Sequence, residues 1–228
     1  MSINFLVKLA VLMPAACILY CAVSPVGKGG TDTGNPILCG KLVEIDGKPA
    51  AGAIVNMVPV DYVPSFALLK ASLPRSVACT TNCNGEYRIY SLDSLDYTFE
   101  ACLETNGVFR DSIKVVLDSQ EHRLDNMTLT SLGRVFGVTK MPGQNDTNQI
   151  RVTLYIPGTR RITKPSIGGA FMFDLVPAGS YHLIIDPTLN TYDVKVLDIH
   201  LNPGQHLDLD TLLLNMNSAM PVSPGSVP

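Results

Sequence analysis

Tryptophan is missing from this chain, and histidine is scarce, with only His122, His182, His200 and His206. The first absence removes the side chain best suited to flooring a sugar-binding platform, and the second leaves little imidazole for acid–base or metal chemistry. Charge is sparse and nearly balanced. There are 17 lysines and arginines against 20 aspartates and glutamates, a net charge of -3, and no basic stripe runs along any segment. A nucleic-acid surface is excluded on that ground. Long hydrophobic runs are lacking too, so nothing beyond the N-terminus has the ~20 apolar residues of a membrane-crossing helix. The chain holds no Gly-x-Ser-x-Gly elbow, no His-Glu-x-x-His and no phosphate-cradling glycine loop. Accordingly no catalytic residue, cofactor or metal-ligand set is assigned.

What is present begins with an export signal. Residues 1–20 carry one lysine, Lys8, and then an apolar run over 9–20 that is too short to span a bilayer but suits a signal-peptide core. Two cysteines compete for its end, since a bacterial lipoprotein signal resembles Leu-x-small-Cys. Cys21 follows Ile18 and Leu19 but has bulky Tyr20 before it, whereas Cys17 follows Ala15 and Ala16. Cys21 is preferred because it adjoins the polar stretch, and lipidation there would tie the chain to a membrane. An ordinary cleaved signal and a retained apolar anchor remain the alternatives. Residues 21–36 include AVSPVGKGGTDTGNP, rich in Gly, Pro, Ser and Thr, and read as a flexible tether. Residues 215–228 read as a disordered tail of the same character.

Between these ends apolar residues alternate in short runs: Ala53, Val55 and Met57; Tyr97, Phe99 and Ala101; Val152, Leu154 and Ile156; Tyr181, Leu183 and Ile185; Val194 and Val196; Leu207 and Leu209. Period two, broken by turn signals such as IDGKP and NPGQ, predicts antiparallel strands with one buried face. The pattern is written twice. GEYRIYSLDSLDYTFEA (85–101) lies over GAFMFDLVPAGSYHLII (169–185) without a gap, matching Gly85 with Gly169, Tyr87 with Phe171, Ile89 with Phe173 and Tyr97 with Tyr181. The expected fold is therefore all-β, with two tandem antiparallel β-sandwich domains over 37–130 and 131–214.

The stretch CGKLVEIDGKPAAGAIVNMVP (39–59) and the later TTNCNGEYRIYSLDSLDYTFEA (80–101) resemble the carboxypeptidase-regulatory-like, or transthyretin-like, sandwich family. The matching positions are Gly40, Gly47, Pro49, Gly52, Ala53, Val55, Gly85, Tyr87 and Tyr97. In the second copy Gly169, Phe171, Phe173, Pro177, Gly179, Tyr181 and Leu183 match. Cys83 stands near the acidic residue of the family's turn. The chain lacks the His-x-x-Glu of the zinc carboxypeptidases and the Tyr-Arg-Gly-Ser ending of the transthyretin-like hydrolases, so the resemblance implies scaffold and no chemistry. GGTDTGNP (29–36) is also similar to the start of a group of bacterial surface lipoproteins.

Four cysteines remain in the first repeat: Cys39, Cys79, Cys83 and Cys102. An even number in an exported chain predicts disulfides, with free thiols and, on weaker grounds, a zinc site as the alternatives. Parity allows Cys39 with Cys102 if their strands are neighbours, leaving Cys79 with Cys83. His206, Asp208 and Asp210 form a polar row opposite Leu207, Leu209 and Leu212 and read as a solvated strand face. The loop DYVPSFALLKASLPRSVAC (61–79) supplies Tyr62, Phe66 and Arg75 as binding candidates, and Tyr90, Tyr155 and Tyr192 are candidate glycan-contacting aromatics. The expected function is a non-enzymatic envelope lipoprotein, outer-membrane or surface-exposed, whose tandem sandwiches serve a structural or protein–protein adhesive role. A carbohydrate-binding module is the alternative, and a hydrolase with a dispersed site is the second. The expected partner is another envelope protein or a glycan.

Overall fold

The structure, a computed structural model, describes residues 37–66, 75–116, 121–145 and 151–217. Cys17, Cys21, the tether, Leu117, the middle of the 61–79 loop and most of the tail lie outside these residues.

Chain order gives β1 (Leu38–Val43), β2 (Ile54–Pro59), β3 (Val77–Thr80), β4 (Glu86–Ile89), β5 (Asp96–Leu103), β6 (Asn106–Lys114), β7 (His122–Arg123) and β8 (Met127–Thr128). There follow β9 (Thr130–Ser131), β10 (Gly133–Lys140), β11 (Val152–Tyr155), β12 (Ile162–Thr163), β13 (Ala170–Val176), β14 (Gly179–Pro187), β15 (Lys195–Leu201) and β16 (His206–Leu213). No α-helix occurs among the described residues. The fold is all-β, as the alternation predicts.

Four sheets pair into two sandwiches. The first joins a sheet ordered β4-β1-β7, with β8 also on β1, to one ordered β3-β2-β5-β6-β9. The second joins β13-β10-β16 to β12-β11-β14-β15. The two orders are the same arrangement written twice: β10 takes the place of β1, β13 of β4, and β16 of β7 and β8. Each sandwich has its own core. Leu42, Val55, Met57, Tyr97 and Phe99 centre the first, and Val135, Leu154, Leu183, Ile185 and Leu201 the second, all fully buried. Removing each such side chain from water contributes about 1.5–3 kcal/mol.

The repeat extends to close contacts that a sheet tolerates only at glycine. Gly40 is paired with Tyr87 across β1 and β4, and a Cβ there would fall 2.4 Å from the Tyr87 hydroxyl oxygen. Gly137 is paired with Phe171, and its Cβ would fall 3.2 Å from that ring. Gly85 (φ +72°) and Gly169 (φ +96°) sit over Leu42 O and Thr139 O, where a Cβ would come within 2.2 and 2.1 Å. Tyr97 and Tyr181 also repeat one device, because each phenol reaches back four residues. Tyr97 Oη accepts from Asp93 N at 3.1 Å, and Tyr181 Oη donates to Pro177 O at 2.7 Å.

One expectation needs correction. Val194 and Val196 do not face the core but stand 56 % and 58 % exposed, because Leu197, Ile199 and Leu201 are the inward residues of β15. That strand carries apolar side chains on both faces, so alternation offers two phases. In the turn before β4 it is Asn82 that caps, its Oδ1 accepting from Asn84 N and Glu86 N, both at 2.9 Å, while Cys83 is exposed.

Replacing Gly40 by Ala should destabilise the protein by about 1–3 kcal/mol in urea unfolding, the range for overpacking a filled core. The Tyr87 hydroxyl is buried with no hydrogen-bond partner among the described residues. Tyr87→Phe should therefore cost little by itself and recover part of the Gly40→Ala loss in the double variant.

Candidate functional site

The outer face of β2, β5 and β6 does not meet water as a single sandwich would require. Thr98 on β5, facing outward, is only 5 % exposed, because the second sandwich lies against it. The contact is made by the β11–β12 hairpin, the end of β13 and the start of β14. Gly158, at φ +67° in that hairpin, is held at both ends of its own residue. Its N–H donates to Tyr62 O at 2.8 Å, and its carbonyl accepts from Thr98 Oγ1. Thr159 Oγ1 ties the turn by donating to Ile156 O at 2.7 Å and accepting from Arg161 N at 3.0 Å. The hairpin thereby aims Arg161 at the first sandwich.

Arg161 meets Glu100 in a two-pronged ion pair. Nη1 donates to Oε2, Nη2 donates to Oε1 at 2.8 Å, and Nη2 also donates to Leu175 O at 2.8 Å. Side-chain exposures of 14 % and 18 % put the pair mostly out of water. Burial by itself would lower the Arg161 pKa, but the adjoining Glu100 carboxylate more than offsets this and holds it above its ordinary value. Leu175 presents its carbonyl from a left-handed position (φ +54°) at a bulge, where two residues of β13 oppose one of β10. Phe109 and Tyr181 complete the contact with ring centroids 4.6 Å apart, and a cavity of about 320 Å³ beside the ion pair is lined by Val58, Cys102, Glu104, Leu132 and Arg160.

Three of the binding candidates belong to this junction or its edge. Tyr62 contributes its carbonyl, and its hydroxyl is buried without a partner among the described residues. Phe66, 44 % exposed, has Lys164 Nζ 5.2 Å from its ring centroid. Arg75, exposed and left-handed (φ 57°), sits 3.9 Å from Asp61. Tyr90, just after β4, is 38 % exposed, and Tyr155 is half-buried on the outer face of β11. Tyr192 is corrected: it is 4 % exposed, packed into the second core, and donates to Pro142 O. It lies in an irregular segment, where period two assigns no face.

The disulfide pairings are corrected as well, since no disulfide joins Cys39, Cys79, Cys83 or Cys102 among the described residues. Cys39 and Cys102 lie in different sheets, because β1 neighbours β4, β7 and β8 while β5 neighbours β2 and β6. Cys39 instead donates to Glu121 Oε1 at 2.7 Å; burial, reinforced by that carboxylate, pushes its pKa up to about 11. Burial does the same for Cys79, to about 11, and for Cys102, to about 12, where Glu100 adds to it. Cys79 packs against the first core while Cys83 lies in the exposed turn.

A second surface feature escaped the alternation argument. The outer face of β13-β10-β16 forms an open groove of about 770 Å³, floored by Phe136 between Met172 and Asp208, with the Arg134–Asp174 ion pair and His206 one row along. Its signal was legible, because Val135 and Gly137 point inward and Phe136 between them must point out. Asp210 leaves the row of His206 and Asp208 at a bulge (φ 52°). No group of three His, Cys, Asp or Glu side chains among the described residues is placed to hold a metal ion.

No protein-family model matches the chain, and no curated protein matches it. Solved structures do resemble it. A streptococcal ancillary pilin shares 15 % identity at a TM-score of 0.37 over 79 % of this chain, which spans 62 % of that one. The minor pilin of Streptococcus agalactiae shares 13 % at 0.38, over 81 % of this chain and 98 % of that one. A C-terminal fragment of a pilus adhesin from Lactobacillus rhamnosus GG shares 11 % at 0.29, over 81 % and 99 %. This chain is similar to them in being built of β-sandwiches, and likeness at that level carries no activity with it.

Arg161→Ala should cost about 3–5 kcal/mol, the range for stranding one partner of a buried pair. Scanning calorimetry should show the two sandwiches melting separately in the variant and together in the parent. A second outcome concerns the thiols. Iodoacetamide at pH 8 should label Cys83 before Cys39, Cys79 and Cys102, read by peptide mass spectrometry. Because the folded pKa values of the last three lie above the ordinary 9.0, their contribution to stability is complete below pH 9 and is lost as the pH rises towards 11. The melting temperature should fall over that interval.

Proposed function

We propose that this chain is a non-enzymatic envelope protein, exported and anchored through a lipid on Cys21, whose two sandwiches act as one stiff spacer in a structural or protein–protein adhesive role. The modules run over 37–130 and 131–214, and their glycine and tyrosine positions support placing them with the carboxypeptidase-regulatory-like sandwiches. The observation that carries the reading is the Arg161–Glu100 pair. A buried two-pronged ion pair between sandwiches suits a rigid unit, whereas transient inter-domain contacts are wetter and more mobile. The residues before 37 then supply reach, and the sandwiches supply the presented surface.

Radioactive palmitate should label the full chain in its bacterial host, with labelling lost in Cys21→Ala and retained in Cys17→Ala. Retention of label in Cys21→Ala with loss in Cys17→Ala would move the anchor, and no label in the parent would remove it. Brief crosslinking in intact cells should then recover one dominant envelope protein that is absent from the Cys21→Ala control.

Glycan binding is the second reading, and it moves from the tyrosines to the groove on β13-β10-β16. An apolar floor of Phe136 and Met172, bordered by carboxylates and Arg134, offers a stacking surface with donors and acceptors at its rim. Phe136→Ala should abolish polysaccharide retention if that reading holds, and unchanged retention in affinity electrophoresis would end it.

A further inference from the structure

The chain enters and leaves the first sandwich at opposite ends. Entry is at the start of β1, where Leu38 lies beside Ile89 at the end of β4 and His122 at the start of β7. Exit is through β9, whose Ser131 pairs with Asn106 next to the β5–β6 turn. The loops after β2 and β6 belong to the entry end as well. Val60 N donates to Asp96 O at 3.0 Å, Asp96 pairs with Lys114, and Val116 O lies 3.1 Å from His122 Nε2. The two ends differ in what they show to solvent. After β2, β4 and β6 stand Val63, Tyr90 and Val116, exposed by 54 %, 38 % and 44 %, and Phe66 follows Val63 in the same loop. The turns of the exit end expose Asp46, Lys48, Asn82, Asn84, Glu104 and Thr105, with Ile45 as their one large apolar side chain among the described residues. Exposed apolar residues scattered singly carry no meaning, but here three separate loops bring them to the end where the chain comes in.

We propose that the entry end of the first sandwich rests on a lipid bilayer, with Val63, Tyr90 and Val116 dipping into the boundary between headgroups and acyl chains. The inference rests on the reading of Cys21 as lipid-bearing, and it names the surface on which the spacer stands. Where the chain comes from argues for a bilayer as the occupant. A chain with the Gly-, Pro- and Ser-rich composition of residues 22–36 has an r.m.s. span of about 20 Å, not much beyond the radius of about 13 Å expected for a module of this size. The lipid thus keeps this end beside the membrane, and a contact too weak to capture the protein from solution becomes an intramolecular one. Charge narrows the kind of contact. Exposed Asp61, Asp93, Asp96 and Glu121 outnumber Arg75 and Lys114 at this end, so attraction to anionic headgroups does not drive it. Apolar insertion does, and Tyr90, with an apolar ring and a polar hydroxyl, suits the headgroup level. The polar turns of the exit end then face away from the bilayer.

The absence of tryptophan supplies the test, because a single introduced indole reports on its own surroundings. The full chain from its bacterial host is reconstituted into phosphatidylcholine vesicles whose acyl chains carry bromine, a short-range quencher. Val63→Trp and Val116→Trp should each lose about half of their fluorescence relative to unbrominated vesicles, and Ile45→Trp at the opposite end should keep its own. Raising the salt concentration should leave all three unchanged. Should either entry-end variant fail to fold, Tyr90→Trp takes its place. No quenching at the entry end, or equal quenching at position 45, would overturn the proposal. Absence of palmitate label with entry-end quenching intact would remove the anchor and keep the surface, whereas label without quenching would keep the anchor and remove the surface.

Discussion

A β-sheet with an apolar face must have that face covered, and nearly every feature of this protein follows from how the covering is arranged. Within each sandwich the two sheets cover one another, and an aromatic ring also packs against the neighbouring strand of its own sheet. Gly40 under Tyr87 and Gly137 beside Phe171 make room for it. Between the sandwiches the same requirement acts on a face that also carries charge. Covering Glu100 without a partner would cost several kcal/mol, so the covering sandwich brings Arg161 with it. The orientation of the two modules is thus tied to one guanidinium and to the hairpin that aims it.

Much of this was legible in the chain because inward positions on a strand repeat every two residues. The match of Gly85 with Gly169 and of Tyr97 with Tyr181 located equivalent strands, and all four are buried in equivalent ways. Even the step of three from Leu209 to Leu212 recorded a bulge, now seen at Asp210. Other residues carried no such local signal. Glu100 and Arg161 are 61 positions apart, and nothing near either one names the other. Cys39 has outward parity yet is buried, because the segment holding Glu121 closes over it. Tyr192 lies where no periodicity operates. On β15 apolar residues fill both phases, so alternation marks a strand there without saying which face is inward.

The cysteines show how compartment and geometry differ as arguments. An exported chain with an even number of thiols suggests pairing, but pairing also requires neighbouring strands with matched direction. Here the sheet order separates Cys39 from Cys102; Cys39 is buried, Cys79 and Cys102 are half-buried, and Cys83 stays exposed. Burial holds the first three protonated, with Glu121 adding to it at Cys39 and Glu100 at Cys102.

The pairing of each sandwich's first strand with its last has a mechanical meaning. β1 runs parallel to β7 and β8, and β10 runs parallel to β16. Tension entering at the start of β1 and leaving after β8, or entering at the start of β10 and leaving after β16, pulls neighbouring strands in opposite directions along their length. Their ladders are then loaded in shear, and the hydrogen bonds of each must yield together; an antiparallel hairpin pulled apart from its open end would release them one at a time. The topology is that of a part which transmits force along its chain without paying out length.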